Sequence, residues 1–369
     1  MKLFVEGRKN TLKTLQQKLP NKPILWFHAA SLGEYEQGLP LIEAIKKEHP
    51  NYGILLTFFS PSGFEVRKNN TIADVTVYLP LDLPHLVKAF LNLVNPKAAF
   101  FIKYEFWPNY LKFLNERNVP TFLVSGIFRE NQLFFKSYGG LYRKSLKSFD
   151  YFFVQNETSK KLIESLGYSN VLCSGDTRFD RVAAIVEENK SLDFVESFKG
   201  DNALMIIGSS WPKDEEILLP LLNQSSESIK FLIAPHNIKN DQIQYLKNSI
   251  NKKTILYSEK DTVDINEHQI MIVDTVGLLT KMYRYADWAY VGGGFGNPGV
   301  HNVLEPAVFG MPVIIGSNYN HFAEATDLVD LGGCISIKNS EELQSIVKSI
   351  TNDQTLRNKL GSINQTYIQ

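Results

Sequence analysis

The chain has 369 residues, 44% of them hydrophobic and 21% charged, with Lys plus Arg and Asp plus Glu equal at 39 each. Single cores stop growing near about 250–300 residues, so this length and composition predict a folded protein of two lobes. The balanced charge excludes the global basic excess that draws nucleic acid, and no apolar run of about 18 residues offers a membrane span.

Short apolar runs alternate with helix-like segments through the first half. They predict strands at Ile24–His28, Ile54–Phe58, Thr76–Leu79, Ala98–Ile102, Thr121–Val124, Tyr151–Val154 and Val171–Cys173. The alternation is that of βαβ units on a parallel sheet, because a parallel strand needs a crossover helix. The first run continues into Ser31-Leu-Gly-Glu34, a small-residue turn that opens a helix predicted over Tyr35–Lys47. A carboxylate there points out of the sheet, and Glu34 is the natural general base for a sugar hydroxyl. A first-turn Glu held by the helix dipole is the plainer reading of the same residue. Ser31 and Gly33 line that turn as possible phosphate or acceptor contacts.

The strand Ala98–Ile102 leads to Lys103-Tyr-Glu-Phe-Trp-Pro-Asn109. Glu105 either orients a group in the site or is a structural carboxylate paired to a cation. The aromatic segment Phe128–Tyr142 is read as core packing or as an amphipathic surface. Gly175-Asp-Thr-Arg-Phe-Asp180 offers Arg178 as a cation for a phosphate or as half of a linker salt bridge.

A charged, strand-poor stretch, Arg181–Asp201, is the predicted linker, dividing the chain into lobes 1–180 and 181–369. The strand pattern then resumes at Ala203–Ile207, Lys230–Ala234, Ile270–Val273, Trp288–Val291, Pro312–Ile315 and Cys334–Ile337. Cys173 and Cys334 sit in such runs without metal or redox spacing, which predicts buried free thiols. Two doubly wound lobes predict a cleft at the carboxyl ends of their strands, where open α/β sheets bind ligands. Gly208 and Ser209 form an expected tight turn after the first of these strands, and Ser209 and Ser210 either cap a helix or donate to a phosphate. His236 and the turn Asp274-Thr275-Val-Gly277 end two further strands. The strongest local signal is Val291-Gly-Gly-Gly-Phe-Gly-Asn-Pro-Gly-Val-His-Asn-Val-Leu-Glu-Pro-Ala307, a glycine-rich anion cradle between a strand and a helix. It lacks the dinucleotide fingerprint and the G-K-[ST] of a P-loop. Asn302 adds a polar group, and Glu305 is placed to accept from neighbouring ribose hydroxyls. His301 alone reads as a structural hydrogen-bonder.

At these residues the chain resembles the 3-deoxy-D-manno-octulosonic acid (Kdo) transferases. The family's H-A-x-S-x-G-E is similar to His28–Glu34, its E-x-W-P-N to Glu105–Asn109 and its G-N-x-K-F-D to Gly175–Asp180. The G-S, D-T-x-G and G-G-H-N-x-L-E-P-A blocks resemble Gly208-Ser209, Asp274–Gly277 and Gly299–Ala307. Where the family often has P-R-H, this chain reads Ala234-Pro-His236.

The resemblance implies a GT-B fold of two Rossmann-like domains facing a central cleft, an acceptor domain with the base and a nucleotide-sugar domain. It implies CMP-Kdo as donor substrate, a lipid A precursor (lipid IVA) as acceptor, inversion at the anomeric carbon, and no cofactor or metal. Glu34 carries the base role, with Glu105 beside it. Gly208, Ser209, His236, Asp274, Thr275, Gly277, Asn302 and Glu305 carry donor binding. The implied place is the cytoplasmic face of the bacterial inner membrane, reached peripherally or through a hydrophobic anchor that precedes a segment like Lys2–Arg8 in the family. The end at Gln369 looks short of the family's last helix. Phe134 and Phe135, flanked by Arg129 and Lys136, are the expected lipid-facing surface. A nucleotide-sugar epimerase, another GT-B transferase and a non-catalytic sugar-nucleotide-binding protein are the competing readings.

Overall fold

The apolar runs of the first half form a sheet of seven strands: β1 (Ile24–Ala29), β2 (Gly53–Phe58), β3 (Val75–Tyr78), β4 (Ala98–Ile102), β5 (Thr121–Gly126), β6 (Tyr151–Val154) and β7 (Val171–Cys173). The second half forms another seven: β8 (Ala203–Ser210), β9 (Ile229–Pro235), β10 (Thr254–Leu256), β11 (Ile270–Ile272), β12 (Trp288–Val291), β13 (Val313–Gly316) and β14 (Cys334–Ile337). This computed structural model describes residues 2–187, 191–297 and 299–369. Contacts divide it into two units, Met1–Arg181 and Val182–Gln369.

In the first unit the strand order is β3-β2-β1-β4-β5-β6-β7, and in the second β10-β11-β9-β8-β12-β13-β14. Every pairing is parallel. Helices therefore cover both faces, and strands such as β1, buried at all six positions, read as unbroken apolar runs rather than alternating ones. In each sheet the chain begins in the middle, builds one wing, then returns to build the other. The reversal lies between β1 and β4 in the first unit and between β8 and β12 in the second, and such switch points open a crevice at the carboxyl ends of the strands.

Trp26 anchors one face of the first sheet, with Phe90 and Phe101 ring centroids 5.0 and 5.2 Å away. Trp288 and Tyr290 are fully buried in the second sheet's core. Helix starts follow local chemistry: Pro84, Pro108 and Pro212 stand at first-turn positions, where a missing N–H costs nothing, and the side chains of Asn156, Asn339 and Asp353 cap three other helices.

Four expectations change. The helix predicted over Tyr35–Lys47 runs Leu32–Glu48, so Gly33 and Glu34 belong to its first turn. The stretch Arg181–Asp201 is no extended linker: the helices Thr177–Glu187 and Asp193–Lys199 occupy much of it, and its residues 188–190 lie outside the described residues. β10 was not expected. Phe134 is a core residue, 6% exposed, with its ring 4.7 Å from Phe106, so it is not a lipid-facing side chain. Phe135 is half-buried against the same core, while Leu133, Tyr138 and Tyr142 are the exposed apolar residues of that segment. Both cysteines are free, Cys334 buried and Cys173 half-buried. Among the described residues no helix is long and apolar enough to cross a membrane.

Candidate functional site

At the switch point of the first sheet, β1 delivers His28 and the turn into the helix Leu32–Glu48, and β4 delivers the segment ending at Trp107. Glu34 is 8% exposed, and its carboxylate accepts the backbone N–H of Ser31 at 2.9 Å. Burial pushes Glu34 above the usual carboxylate range, and the nearby charge of Glu105 pushes it further, against smaller opposing effects of the Ser31 amide and His28. The structure thus brings Glu34 and Glu105 into one electrostatic cluster. A side chain at Gly33, the residue before Glu34, would meet nothing within 4 Å.

Glu105 is fixed by two rings. Its Oε2 lies 2.7 Å from Trp107 Nε1 and 3.2 Å from His28 Nε2. His28 is fully buried, and its Nδ1 is 2.9 Å from the Thr57 hydroxyl, which itself accepts the Trp26 indole N–H at 2.8 Å. The Thr57 hydroxyl donates to the Phe27 carbonyl at 3.3 Å, His28 Nδ1 also lies 3.1 Å from the Thr57 carbonyl, and Nε2 lies 3.0 Å from Trp107 Nε1 as well as beside Glu105, so the imidazole is held at both nitrogens. Glu105 was read as orienting a group in the site or as a structural carboxylate paired to a cation; its partners are an indole and an imidazole. Arg178, expected to meet a phosphate or a linker partner, is bonded to Asp176 two residues before it, at 2.8 and 2.6 Å.

In the second unit the ends of β8, β9, β12 and β13 meet. Gly208 is not in a turn: β8 continues through it to Ser210, with an irregular register at Ser209, whose φ of 54° is left-handed. A side chain at Gly208 would come within 1.9 Å of the Tyr283 hydroxyl. Tyr283 feels the charge of Glu305, which joins Gly208, Tyr283 and Glu305 in one place. Asn302 donates to Glu305 at 3.2 Å and accepts from the Leu304 N–H at 3.2 Å. The helix after the glycines is a single turn, Leu304–Ala307, shorter than expected, and Pro298 of the glycine motif lies outside the described residues. Gly292 and Gly294 are required by space: a side chain would press to 2.4 Å from the Ser209 carbonyl and 2.7 Å from Gly316.

Ser210 does not cap the following helix but donates to Glu215 at 3.0 Å. Asp274 is drawn to Ser258, accepting from its N–H at 2.9 Å and its hydroxyl at 2.5 Å, while Thr275 and Gly277 lie exposed beyond it. His236 stacks on Trp211 and on His301, with centroids 4.3 and 4.7 Å apart. Sequence reasoning missed Asp214. Fully buried, it accepts from Trp211 N and Gly293 N and from the Tyr290 hydroxyl at 2.9, 2.8 and 2.8 Å, tying the end of β8 to the glycine loop. Its signal was the acidic residue in the first turn after Pro212.

Residues 6–181 match the family model described as 3-deoxy-D-manno-octulosonic-acid transferase (kdotransferase). The chain is 32% identical over 332 residues to the 3-deoxy-D-manno-octulosonic acid transferase of Aquifex aeolicus, covering 87% of this chain and 84% of that one. It is 29% identical over 342 residues to the enzyme of the same name from Chlamydophila psittaci, covering 89% of this chain and 77% of that one. Among solved structures, UDP-GlcNAc 2-epimerase from Neisseria meningitidis aligns with a TM-score of 0.65 at 14% identity, covering 94% of this chain and 95% of its own. MurG from Acinetobacter baumannii aligns at 0.56 and 12% identity, covering 94% and 96%. These two likenesses carry the fold, an α/β architecture of the GT-B type. With the ordered motifs and the relatives of matching length, the chain belongs to the 3-deoxy-D-manno-octulosonic acid transferase family and is a glycosyltransferase.

Proposed function

We propose that this glycosyltransferase moves Kdo from CMP-Kdo to a hydroxyl of a lipid A precursor, with inversion, and that Glu34 is the general base. The observation that carries this reading is the Glu34 carboxyl, buried beside Glu105 at the switch point of the first sheet with open space over Gly33. A general base needs a pKa lifted toward the working pH and a clear approach for the hydroxyl. Glu34 takes the proton as the acceptor oxygen bonds to the Kdo anomeric carbon. The bond from that carbon to the phosphate oxygen breaks on the opposite face, and CMP leaves with the electron pair.

Glu105, held by Trp107 and His28, lies close enough for its charge to raise the base. In the second unit, Asn302 and Glu305 take the nucleotide's sugar, and the backbone around Ser209 and the glycine loop, with His236, takes the phosphate. Asp274, Thr275 and Gly277 complete the donor site, and no metal ion or other cofactor is assigned. The acceptor is lipid-borne, so the reaction belongs at a membrane surface, the cytoplasmic face of the inner membrane.

The test is incubation with CMP-Kdo, generated in place, and a tetra-acylated lipid A precursor, followed by lipid mass. A gain of one or more Kdo units that Glu34→Gln abolishes, while CMP still binds, is the expected result. Transfer that survives in Glu34→Gln would remove the base assignment, and CMP binding without any transfer would remove the acceptor assignment.

A further inference from the structure

Two rings in the second unit lie parallel and share a hydrogen bond. The planes of Trp211 and His301 differ by 7° with centroids 6.3 Å apart, and Trp211 Nε1 donates to His301 Nε2 at 2.7 Å. An indole N–H has a hydrogen to give and no lone pair to offer, so Nε2 of His301 is the acceptor. In the neutral ring the remaining hydrogen then sits on Nδ1. Among the described residues no hydrogen bond involves that Nδ1.

Trp211 is held at its backbone and at its ring. Asp214 takes the Trp211 backbone N–H and ties it to the glycine loop through Gly293. His236 stacks across both rings. We propose that Trp211 is a positioning residue: it fixes His301 as the neutral Nδ1–H tautomer, and His301 gives that hydrogen to an oxygen of the bound nucleotide. This rests on the nucleotide site proposed above.

The ring's surroundings agree with the geometry. Burial, with a smaller effect of His236, pushes His301 down to about 4, so it stays uncharged through the neutral range. His236 is itself pushed down by burial. The other ionisable groups of the cluster are engaged, Asp214 by Trp211 and Gly293 and Glu305 by Asn302. A neutral donor binds an anionic or hydroxyl oxygen without first having to acquire a proton.

Nitrogen-15 NMR of the histidine rings in the full chain tests this, with His301 assigned by its loss in His301→Gln. The expected pattern is a single Nδ1–H tautomer, unchanged from roughly pH 5.5 to 8, the range in which an ordinary imidazole titrates. Trp211→Phe keeps a ring in the stack and removes the shared hydrogen. In that variant His301 should become a mixture of tautomers, and CMP affinity should fall about fivefold, the worth of one neutral hydrogen bond. An Nε2–H tautomer in the parent would overturn the proposal, as would Trp211→Phe with the parent's ring pattern and affinity. If that variant does not fold, the parent's tautomer alone decides. CMP failing to bind a parent that shows the Nδ1–H pattern would overturn the nucleotide assignment, and with it the use of the hydrogen, while the ring geometry stood.

Discussion

Asp214→Ala removes one acceptor from three donors at once: the backbone N–H groups of Trp211 and Gly293 and the hydroxyl of Tyr290. Asp214 is fully buried, so water does not stand ready to replace the carboxylate. Each buried donor left unpaired costs about 1–3 kcal/mol, and three together predict a loss of roughly 3–9 kcal/mol. That is a large fraction of the about 5–15 kcal/mol that holds a domain folded. Asp214→Asn keeps one acceptor oxygen and turns an N–H₂ toward the donors facing the other, for a smaller loss of about 1–3 kcal/mol. Equilibrium urea unfolding, followed by a probe within the second unit, measures both. The glycine loop should loosen in parallel, so Gly293 amide exchange should quicken and CMP binding weaken. An Asp214→Ala chain within about 1 kcal/mol of the parent would refute the idea that this carboxylate ties β8 to the loop.

Glu34→Gln is expected to end transfer yet not to lower stability at neutral pH. The folded carboxyl titrates above its unfolded value, so between those two values the folded chain holds a proton that the unfolded chain has released. Stability from this group therefore falls as pH rises through that window and stays reduced above it. The amide, which does not ionise, should equal or exceed the parent's unfolding midpoint at neutral pH and lose the advantage in acid; the opposite trend would contradict the burial argument. Gly33→Ala should separate folding from activity, because it meets no atom within 4 Å and lies in a helical first turn. Thermal unfolding should show a gain of up to about 1 kcal/mol, with transfer reduced if the acceptor uses that space. Gly208→Ala should act in reverse, costing about 1–3 kcal/mol in denaturant unfolding as its methyl displaces the Tyr283 hydroxyl, and weakening CMP binding.

Much of the fold was legible because parallel strands buried on both faces announce themselves as apolar runs, as Ile24–Ala29 and Trp288–Val291 do. β10 escaped because Thr254–Leu256 is three residues long, sits at a sheet edge and follows two lysines. The turn before Glu34 was placed too late in the chain because Gly33 is a poor helix former, yet the Glu34 carboxylate, reaching back to the Ser31 amide, draws the first turn to start at Leu32. The bend at Ser209 depends on how β8 meets β9 and on the close pass of Gly292, neither of which local sequence encodes. Phe134 lies in a segment read either as core packing or as an amphipathic surface, and packing against Phe106 and Phe128 puts it in the core. The Trp211–His301 and Trp107–His28 contacts join residues 90 and 79 apart, and only the topology brings them together.

The most direct test of the account is the pH dependence of kcat/KM for Kdo transfer in the parent and in Glu105→Gln. The parent should show an acid limb above the ordinary carboxylate range, set by Glu34, with activity rising as Glu34 loses its proton. Glu105→Gln removes the neighbouring negative charge that holds that proton, so the limb should move to lower pH. A limb that stays where it is in Glu105→Gln, or one that persists in Glu34→Gln, would contradict the assignment of Glu34 as a base tuned by burial and by Glu105.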